Sequence, residues 1–397
     1  MGIRTGEMEK NSILFLTNAY PDFETSYHGI FIKKMASFLQ KEGYQISIVT
    51  PKIYKESHWF EEQDEMQVYR FPFFSGNRLL IEYRKIPYLR MIFYYLTGFI
   101  LTVYVLVKKG CDLIHVHWAI PTGLIGVWVA SFLKKPLIVT IHGSDLRMAM
   151  ESSGLLRKVF LYVCRKANHL NCVSEVQKKE VEKLGITQGK ISAIPMGVDE
   201  AFLDVGENRK EERNKQAITI FSNRNLLPNY NVSLLIDAIP KILREEPKIR
   251  LIIAGAGEER ENLEKQVKRL KVSPFVQFLG QVPHQEMRYL LAQSDIYVST
   301  SFSDGTSVSL LEAMGAGVFP VVSDIPANRE WIVNGKNGFL IPVDEEGHLA
   351  NRIIQVIRNQ ALLKTSRERN LFIIREKAIW PVNIRKVKEL YTELLKT

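Results

Sequence analysis

The sequence has few of the residues on which several protein classes depend. Three cysteines, Cys111, Cys164 and Cys172, occur among 397 residues, an odd number with no CxxC motif and no Cys/His ligand spacing. Neither a disulfide framework nor a zinc site is therefore predicted, and a reducing cytosol is the expected compartment. Residues 1–18 carry acidic side chains before a short apolar run and no cleavage-type ending, so a strand is expected there and not a signal peptide.

Composition favours two globular domains. Hydrophobic residues make up 46% of the chain and charged residues 24%, which excludes the disordered and collagen-like classes. The chain is about two to three times as long as a common single domain. A formal net charge of +10 allows a polyanionic partner. No helix-turn-helix, RNA-recognition or zinc-finger pattern appears, so nucleic acid is not the predicted partner.

Short apolar runs between turn residues predict strands that are buried on both faces. They lie at residues 12–17, 45–50, 112–117, 137–142, 169–173, 217–222, 250–254, 276–279, 296–300 and 318–322. Nearly continuous Ile, Leu and Val is typical of parallel strands covered by helices. Helical-period stretches such as Ile30–Lys41 separate the strands. This order predicts two parallel α/β sheets, with the seam in the charged stretch 206–216, which has no apolar residue.

One apolar segment, residues 91–107, has 17 residues without a charge. A buried helix packed on a sheet is the favoured interpretation, and a transmembrane span is the alternative, because the segment reaches only the short end of the length a bilayer requires. Residues 78–109 and 134–166 each carry a net charge of +5. Basic side chains beside apolar and aromatic ones suit an anionic membrane surface, which is a third hypothesis.

The most informative motif lies at residues 299–317. This stretch leaves a predicted strand, passes through a small polar turn that begins with Asp304, and enters a helix that contains Glu312. Ligands of open α/β sheets bind where strands end, and a helix N-terminus favours a phosphate. Each carboxylate also has a purely structural alternative. Asp304 could be an Asx-turn residue, and Glu312 could be the third position of a capping box that begins at Ser309.

Together these residues resemble the retaining glycosyltransferases of family 4. Residues 304–314 are similar to the family motif of two glutamates separated by seven residues and followed by Ala-Met, with Asp304 in the first position. Residues 112–118, 171–175, 194–199 and 318–345 also match in order and spacing, so the resemblance covers nearly the whole chain.

The resemblance implies the α/β fold called GT-B, with two Rossmann-like domains whose parallel sheets face each other across a cleft. The first domain is expected to comprise residues 1–205, with the terminal helix 381–397 packed back on it, and to bind the acceptor. Residues 206–380 are expected to bind the nucleotide sugar.

The resemblance also implies roles for the matching residues of the second half. Glu312 would hold the donor ribose, and Asp304 would contact the donor sugar, although its side chain is one methylene shorter than the family's glutamate. The backbone N–H groups that would receive the diphosphate belong to Gly305, Thr306, Ser307, Val308 and Ser309.

The phosphate clamp departs from the family pattern. Arg224 matches the family's arginine and is followed by Asn225, but Tyr230 and Asn231 stand where Lys-Gly is expected. A planar guanidinium suits two phosphate oxygens. Two roles remain open for Tyr230, which could be a packing residue or a hydrogen-bond donor to phosphate.

Candidates in the first half lie at strand ends. Gly29 precedes the helix Ile30–Lys41 and would let the backbone approach the donor closely. His142 ends a strand and precedes a glycine, in the place of the family's sugar-contacting histidine. His115 and His117 share one strand face and are secondary candidates.

Two glycines, Gly255 and Gly257, follow a strand of the second half. A dinucleotide fingerprint is incomplete there because Arg260 stands where the third glycine belongs. The resemblance places these glycines beside the nucleotide instead.

The predicted function is therefore retaining, metal-independent transfer of a hexose from a nucleotide sugar of the UDP or GDP type, without a cofactor. The expected acceptor is a saccharide, lipid-linked, in surface polysaccharide biosynthesis. The expected location is cytoplasmic, at the inner face of the membrane. The alternatives are a non-catalytic nucleotide- or nucleic-acid-binding protein and an NAD-type dehydrogenase.

Overall fold

Parallel strands form two separate sheets in the computed structural model of the protein, which describes residues 11–23, 26, 28–80, 83, 86–151, 154–186, 188–209, 217–343 and 346–396. Each sheet belongs to its own compact unit. The first unit is Met1–Ile194 with Ile384–Thr397, and the second is Pro195–Asn383.

The first unit contains an eight-stranded sheet in the order β3-β4-β2-β1-β5-β6-β7-β8, in which only β3 pairs antiparallel with its neighbour. Its elements in chain order are β1 (Ser12–Leu16), α1 (Ile30–Lys41), β2 (Gln45–Lys52), β3 (Phe60–Gln63), β4 (Met66–Pro72), α2 (Tyr88–Lys109), β5 (Leu113–His117), α3 (Thr122–Leu133), β6 (Leu137–Ile141), α4 (Ser144–Glu151), α5 (Leu155–Lys166), β7 (His169–Cys172), α6 (Glu175–Lys183) and β8 (Ile191–Ala193). Every residue of β1, β5 and β6 is buried, as expected for central parallel strands.

The second unit contains a six-stranded sheet in the order β11-β10-β9-β12-β13-β14, and all its pairs are parallel. Its elements are α7 (Glu200–Glu207), β9 (Ile218–Ser222), α8 (Val232–Glu245), β10 (Ile249–Ala254), α9 (Arg260–Arg269), β11 (Val276–Gly280), α10 (His284–Gln293), β12 (Ile296–Ser299), α11 (Val308–Gly315), β13 (Phe319–Ser323), α12 (Pro326–Arg329), β14 (Phe339–Ile341), α13 (Glu346–Ile357), α14 (Gln360–Lys377) and the start of α15 (Trp380–Leu395).

Two apolar clusters cover the faces of this second sheet. Ile220 packs with α8 and α13 in one cluster, and its neighbour Phe221 packs with α7 and α11 in the other. Successive strand residues point to opposite faces, so the two clusters lie on the two sides of the sheet. The predicted fold of two Rossmann-like α/β units is confirmed, and all ten predicted strands are present.

The units divide at a different place from the predicted boundary at 205/206. Helix α7 belongs to the second unit because Phe202 and Leu203 pack in a cluster with α11. Trp380, at the start of α15, also belongs to the second unit. Its ring packs against Gly197 of that unit so closely that a Cβ there would lie 2.2 Å from the ring. Later in the same helix, the Tyr391 hydroxyl contacts His115 of the first unit at 2.6 Å. Of the predicted seam, residues 210–216 lie outside the described residues.

Helix α2 is the predicted apolar segment, and it has 22 residues. By length and composition it could cross a membrane, with a mean hydropathy of 1.7 over 18 residues, of which 28% are buried. Its inner stripe packs in the first unit, where Tyr94 is buried and a Cβ on Gly98 would lie 2.7 Å from the Ile125 side chain. The outer stripe is exposed, so the prediction of a buried helix holds for one face only. Within the basic range 78–109, residues 81, 82, 84 and 85 lie outside the described residues.

Candidate functional site

Arg224 lies just beyond the end of β9 and is held by oxygens from the loop before α11. Its Nη2 donates to Asp304 Oδ2 at 2.6 Å, and its Nη1 donates to Ser307 Oγ at 2.7 Å. Arg224 is 8% exposed. The structure thus brings together three of the predicted site residues, although they are about 80 residues apart in sequence.

The charge of this arginine is maintained by its partner. Burial acts to lower the pKa of Arg224, but the nearby carboxylate of Asp304 outweighs it, and the pKa is raised. A buried guanidinium requires such an anion, because an unpaired charge away from water is costly. Within the part of the chain that the structure describes, Arg224 Nε is buried and has no hydrogen-bond partner. The guanidinium therefore retains an unused donor.

Tyr230 packs beneath this guanidinium. The Arg224 carbon Cζ lies 4.5 Å from the centre of the Tyr230 ring. The negative face of an aromatic ring attracts a cation at this distance. This contact favours the packing role for Tyr230 over donation of a hydrogen bond to phosphate.

The loop from Asp304 into α11 is ordered by its own hydrogen bonds. Gly305 N donates to Asp304 Oδ1 at 2.9 Å, and Ser307 is the N-cap residue, whose Oγ accepts from Leu310 N at 3.3 Å. The suggested capping box from Ser309 to Glu312 is wrong, because α11 begins two residues earlier than that box requires. The predicted donor-binding residues Thr306, Val308 and Ser309 lie in this loop and the first turn of α11, where helix N–H groups lack intrahelical partners.

Glu312 is buried on α11 and pairs with a histidine that sequence analysis did not single out. His284 Nε2 lies 2.6 Å from Glu312 Oε1, and Glu312 is 4% exposed. His284 is the first residue of α10, which follows β11. His284 follows the end of a predicted strand, and this is the sequence feature from which it could have been predicted as a site residue.

Gly255 and Gly257 support the loop that carries Arg224. A Cβ at Gly255 would lie 2.2 Å from the Arg224 carbonyl oxygen, and one at Gly257 would lie 2.2 Å from that of Leu226. Leu226 N donates to Ala256 O at 2.9 Å. These glycines are required by close contact with protein backbone, so they do not indicate a dinucleotide. Asn225 lies on the same loop and is exposed.

In the first unit, His142 lies just after β6 and is fixed by its neighbours. Its Nε2 lies 3.1 Å from His117 Nδ1, and the centre of its ring lies 4.1 Å from that of Trp118. The buried carboxylate of Asp145 accepts from His142 N at 3.2 Å and Gly143 N at 3.0 Å. Burial raises the pKa of Asp145 to about 6, although hydrogen bonds from backbone N–H groups, including those of Ala119 and Gly143, oppose the rise. His142 is partly exposed.

Gly29 begins α1 in a left-handed conformation, with φ of 73°. A Cβ there would lie 2.2 Å from the Ala19 carbonyl oxygen. Both observations require glycine at this turn. The loop after β1 is thereby held close against the start of α1.

These groups can bind an anion and hydroxyl groups in the second unit. A guanidinium and a helix N-terminus favour phosphate oxygens, and carboxylates accept hydrogen bonds from sugar hydroxyls. Among the residues that the structure describes, no group of three or more His, Cys, Asp or Glu side chains is placed to hold a metal ion.

Comparisons with known proteins give two family models that together match most of the chain. The family model described as Glycosyl transferases group 1 matches residues 205–371, and that of Glycosyltransferase Family 4 matches residues 29–202. An uncharacterized glycosyltransferase of Methanocaldococcus jannaschii is 27% identical over 374 residues, which cover 90% of this chain and 92% of that protein.

A second curated relative is the putative teichuronic acid biosynthesis glycosyltransferase TuaC of Bacillus subtilis. It is 25% identical over 335 residues, which cover 79% of this chain and 81% of TuaC. Among solved structures, Anabaena HepE in complex with UDP matches with a TM-score of 0.76 and 18% identity, over 96% of this chain and 100% of that one. The structural likeness shows the same fold.

Two substitutions at position 230 test whether the ring or the hydroxyl of the tyrosine matters. Tyr230→Phe keeps the ring under Arg224, so we expect its affinity for a nucleoside diphosphate to stay within about twofold of the wild type. Tyr230→Leu removes the ring, and we expect affinity to fall about fivefold, equivalent to about 1 kcal/mol. Isothermal titration calorimetry measures both. An equal loss in the two variants would show that the hydroxyl donates to the ligand.

Proposed function

The chain belongs to family 4 of the glycosyltransferases, and from this premise we propose that it transfers a sugar with retention of anomeric configuration and without a metal ion. Its donor is a nucleotide sugar. The observation that carries the proposal is the buried Arg224, placed with Ser307 at the N-terminus of α11. This is where a departing diphosphate would gain the most electrostatic stabilisation.

The state of the two carboxylates supports a mechanism that depends on charge stabilisation. Asp304 pairs with Arg224, and Glu312 pairs with His284. A carboxylate oxygen that already accepts such a hydrogen bond is engaged, and it is less free to attack the sugar or to take up a proton. We therefore assign the acceptor's proton to an oxygen of the leaving diphosphate. Arg224 and the N–H groups of α11 would take up the negative charge of that diphosphate in place of a metal ion.

The ribose and the sugar of the proposed nucleotide-sugar donor each have a candidate partner in the second unit. Glu312 would hold the ribose hydroxyls, and Asp304 would contact the sugar through the carboxylate oxygen that Arg224 does not use. We propose a donor of the UDP or GDP type, and the UDP complex of HepE supports the former. Nothing in this set of side chains requires a further cofactor.

For the acceptor we propose a lipid-linked saccharide in surface polysaccharide biosynthesis. The name of TuaC, which assigns that relative to teichuronic acid biosynthesis, supports this. A lipid-linked acceptor lies at a membrane surface, so the enzyme must reach that surface from the cytoplasmic side, where nucleotide sugars are made. A surface of the first unit suits this requirement.

The apolar face of the first unit, as we name it, consists of the exposed outer stripe of α2 and two aromatic side chains of α3. Ring contacts of 5.8 Å (Tyr95 to Trp128) and 6.3 Å (Phe99 to Phe132) place these helices side by side. Its members are Leu89, Ile92, Phe93, Leu96, Ile100, Trp128 and Phe132, which are between 40% and 77% exposed.

Charge complementarity supports an anionic lipid surface as the occupant of the apolar face. Arg90 lies in the first turn of α2, Lys108 and Lys109 in its last, and Lys134 follows α3. No acidic residue occurs in either helix. Two copies joined through this face would bring like charges together, whereas an anionic bilayer would attract them. Because the inner stripe of α2 packs in the protein core, we propose that the helix lies along the membrane surface and does not span it.

Substitution of Arg224 tests the role of charge in transfer. We expect Arg224→Lys, which loses the planar fork, to reduce the transfer rate at least tenfold, equivalent to about 1.4 kcal/mol. The control Arg329→Ala removes an exposed arginine that pairs with Asp324, and its rate should stay unchanged.

Proton NMR of the product gives its anomeric configuration, and a chelator should leave the wild-type rate unchanged. An inverted product, or loss of activity with the chelator, would contradict the proposal.

Substitutions on α2 test the membrane surface. The double variant Ile92→Glu/Leu96→Glu places two carboxylates on the apolar face, and we expect it to lose cosedimentation with phosphatidylglycerol vesicles. Phe372→Glu is the control, because Phe372 is 62% exposed on α14 of the second unit. It should bind vesicles like the wild type. Equal binding of the wild type to neutral phosphatidylcholine vesicles, or a wild-type dimer that only the double variant disrupts, would overturn the proposal.

A further inference from the structure

Histidine side chains from two neighbouring strands form a row in the first unit. The rings of His115 and His117, both on β5, are stacked with centres 4.5 Å apart. His117 Nδ1 then lies 3.1 Å from Nε2 of His142, which follows β6. His142 is the member that is partly exposed, whereas His117 is fully buried.

Both histidines of this hydrogen bond are neutral near pH 7. Burial lowers the pKa of His142 to about 3, and burial also lowers the pKa of His117 well below its ordinary value. A neutral imidazole carries one N–H and one bare nitrogen. The contact between His117 Nδ1 and His142 Nε2 therefore has two possible forms, which differ in the nitrogen that carries the hydrogen.

The surroundings of His117 distinguish these forms. Its other nitrogen, Nε2, is buried and has no hydrogen-bond partner among the described residues. The Phe15 ring packs beside it, with ring centres 5.0 Å apart. A buried N–H group without an acceptor is rarer than an acceptor without a donor. The hydrogen of His117 therefore resides on Nδ1, which donates to His142 Nε2.

We propose that His117 is a positioning residue that holds His142 in the tautomer with its hydrogen on Nδ1. His142 then presents an N–H donor, and not a basic nitrogen, to an oxygen of the bound substrate. The assignment of substrate contact to His142 rests on the proposed function. The tautomer itself rests on the geometry of the two rings and on the surroundings of His117, and not on the proposed function.

The neighbours of His142 keep its ring in the orientation that this hydrogen bond requires. Asp145 accepts from the backbone N–H groups of His142 and Gly143 on one side and from Ala119 N at 2.8 Å on the other. The Trp118 ring covers one face of the imidazole. These contacts hold the backbone at His142 and cover one face of its ring, and in this orientation the hydrogen bond from His117 selects the tautomer.

Long-range ¹H–¹⁵N correlation spectra of the ligand-free protein test the tautomer directly. Between pH 6 and pH 8 we expect the hydrogen on Nδ1 in both His117 and His142, with assignment by loss of signals in the position 117 variants below. The opposite pair, with hydrogens on Nε2 of both rings, would overturn the inference. This readout involves no substrate, so it separates failure of the inference from failure of the proposed function.

Variants of His117 test the consequence for catalysis. His117→Asn keeps a side-chain N–H near the place of Nδ1, and we expect its KM for the donor to stay within about threefold of the wild type. His117→Leu removes the donor, and its KM should rise at least tenfold, with mixed tautomers at His142. His169→Gln is the control, because His169 bonds Ser192 and contacts neither His117 nor His142 among the described residues. An unchanged KM in His117→Leu, or an equally large rise in KM in His117→Asn, would overturn the positioning role. Circular dichroism checks that each variant is folded.

Discussion

The ion pair between Arg224 and Asp304 is the interaction on which the site of the second unit depends. A guanidinium that is 8% exposed needs an anion, and the protein supplies one from the loop before α11. That pair sets the position of the loop relative to the end of β9, and Gly255 and Gly257 allow the backbone around Arg224 to approach closely enough. The site is thus assembled around a buried guanidinium whose charge a protein carboxylate balances in the ligand-free protein.

The remaining charged groups are arranged so that few of them are available as bases. Glu312 is paired with His284, and His142 of the first unit is neutral near pH 7 because burial lowers its pKa to about 3. The groups therefore suit hydrogen bonding and charge stabilisation better than proton transfer. This is consistent with a leaving diphosphate that takes the acceptor's proton itself. It also separates the roles of the two units, with positive charge at Arg224 and neutral donors at His142.

Much of the fold could be predicted because buried parallel strands are nearly continuous apolar runs, and ten of the fourteen strands were found this way. The other four strands were not predicted. The strands β3 and β4 include polar residues, and β8 and β14 have only three residues each. At the site, motif spacing identified Arg224, Asp304 and Glu312, but not their partners. The pairing of His284 with Glu312 and the position of Tyr230 under Arg224 depend on how separate elements pack. The sequence placed most of α7 in the first domain for the same reason. Only the packing of α7 on α11 shows that this helix belongs to the second unit.

The central claim is that Arg224 receives the phosphate of the donor, and that Asp304 balances its charge in the ligand-free protein. Calorimetric titration of the wild type and Asp304→Asn with UDP and GDP tests it most directly, because asparagine keeps the shape of the side chain without its charge. The account predicts that Asp304→Asn binds the preferred diphosphate about tenfold more tightly, while its rate of sugar transfer falls. Unchanged or weaker binding by Asp304→Asn would contradict it.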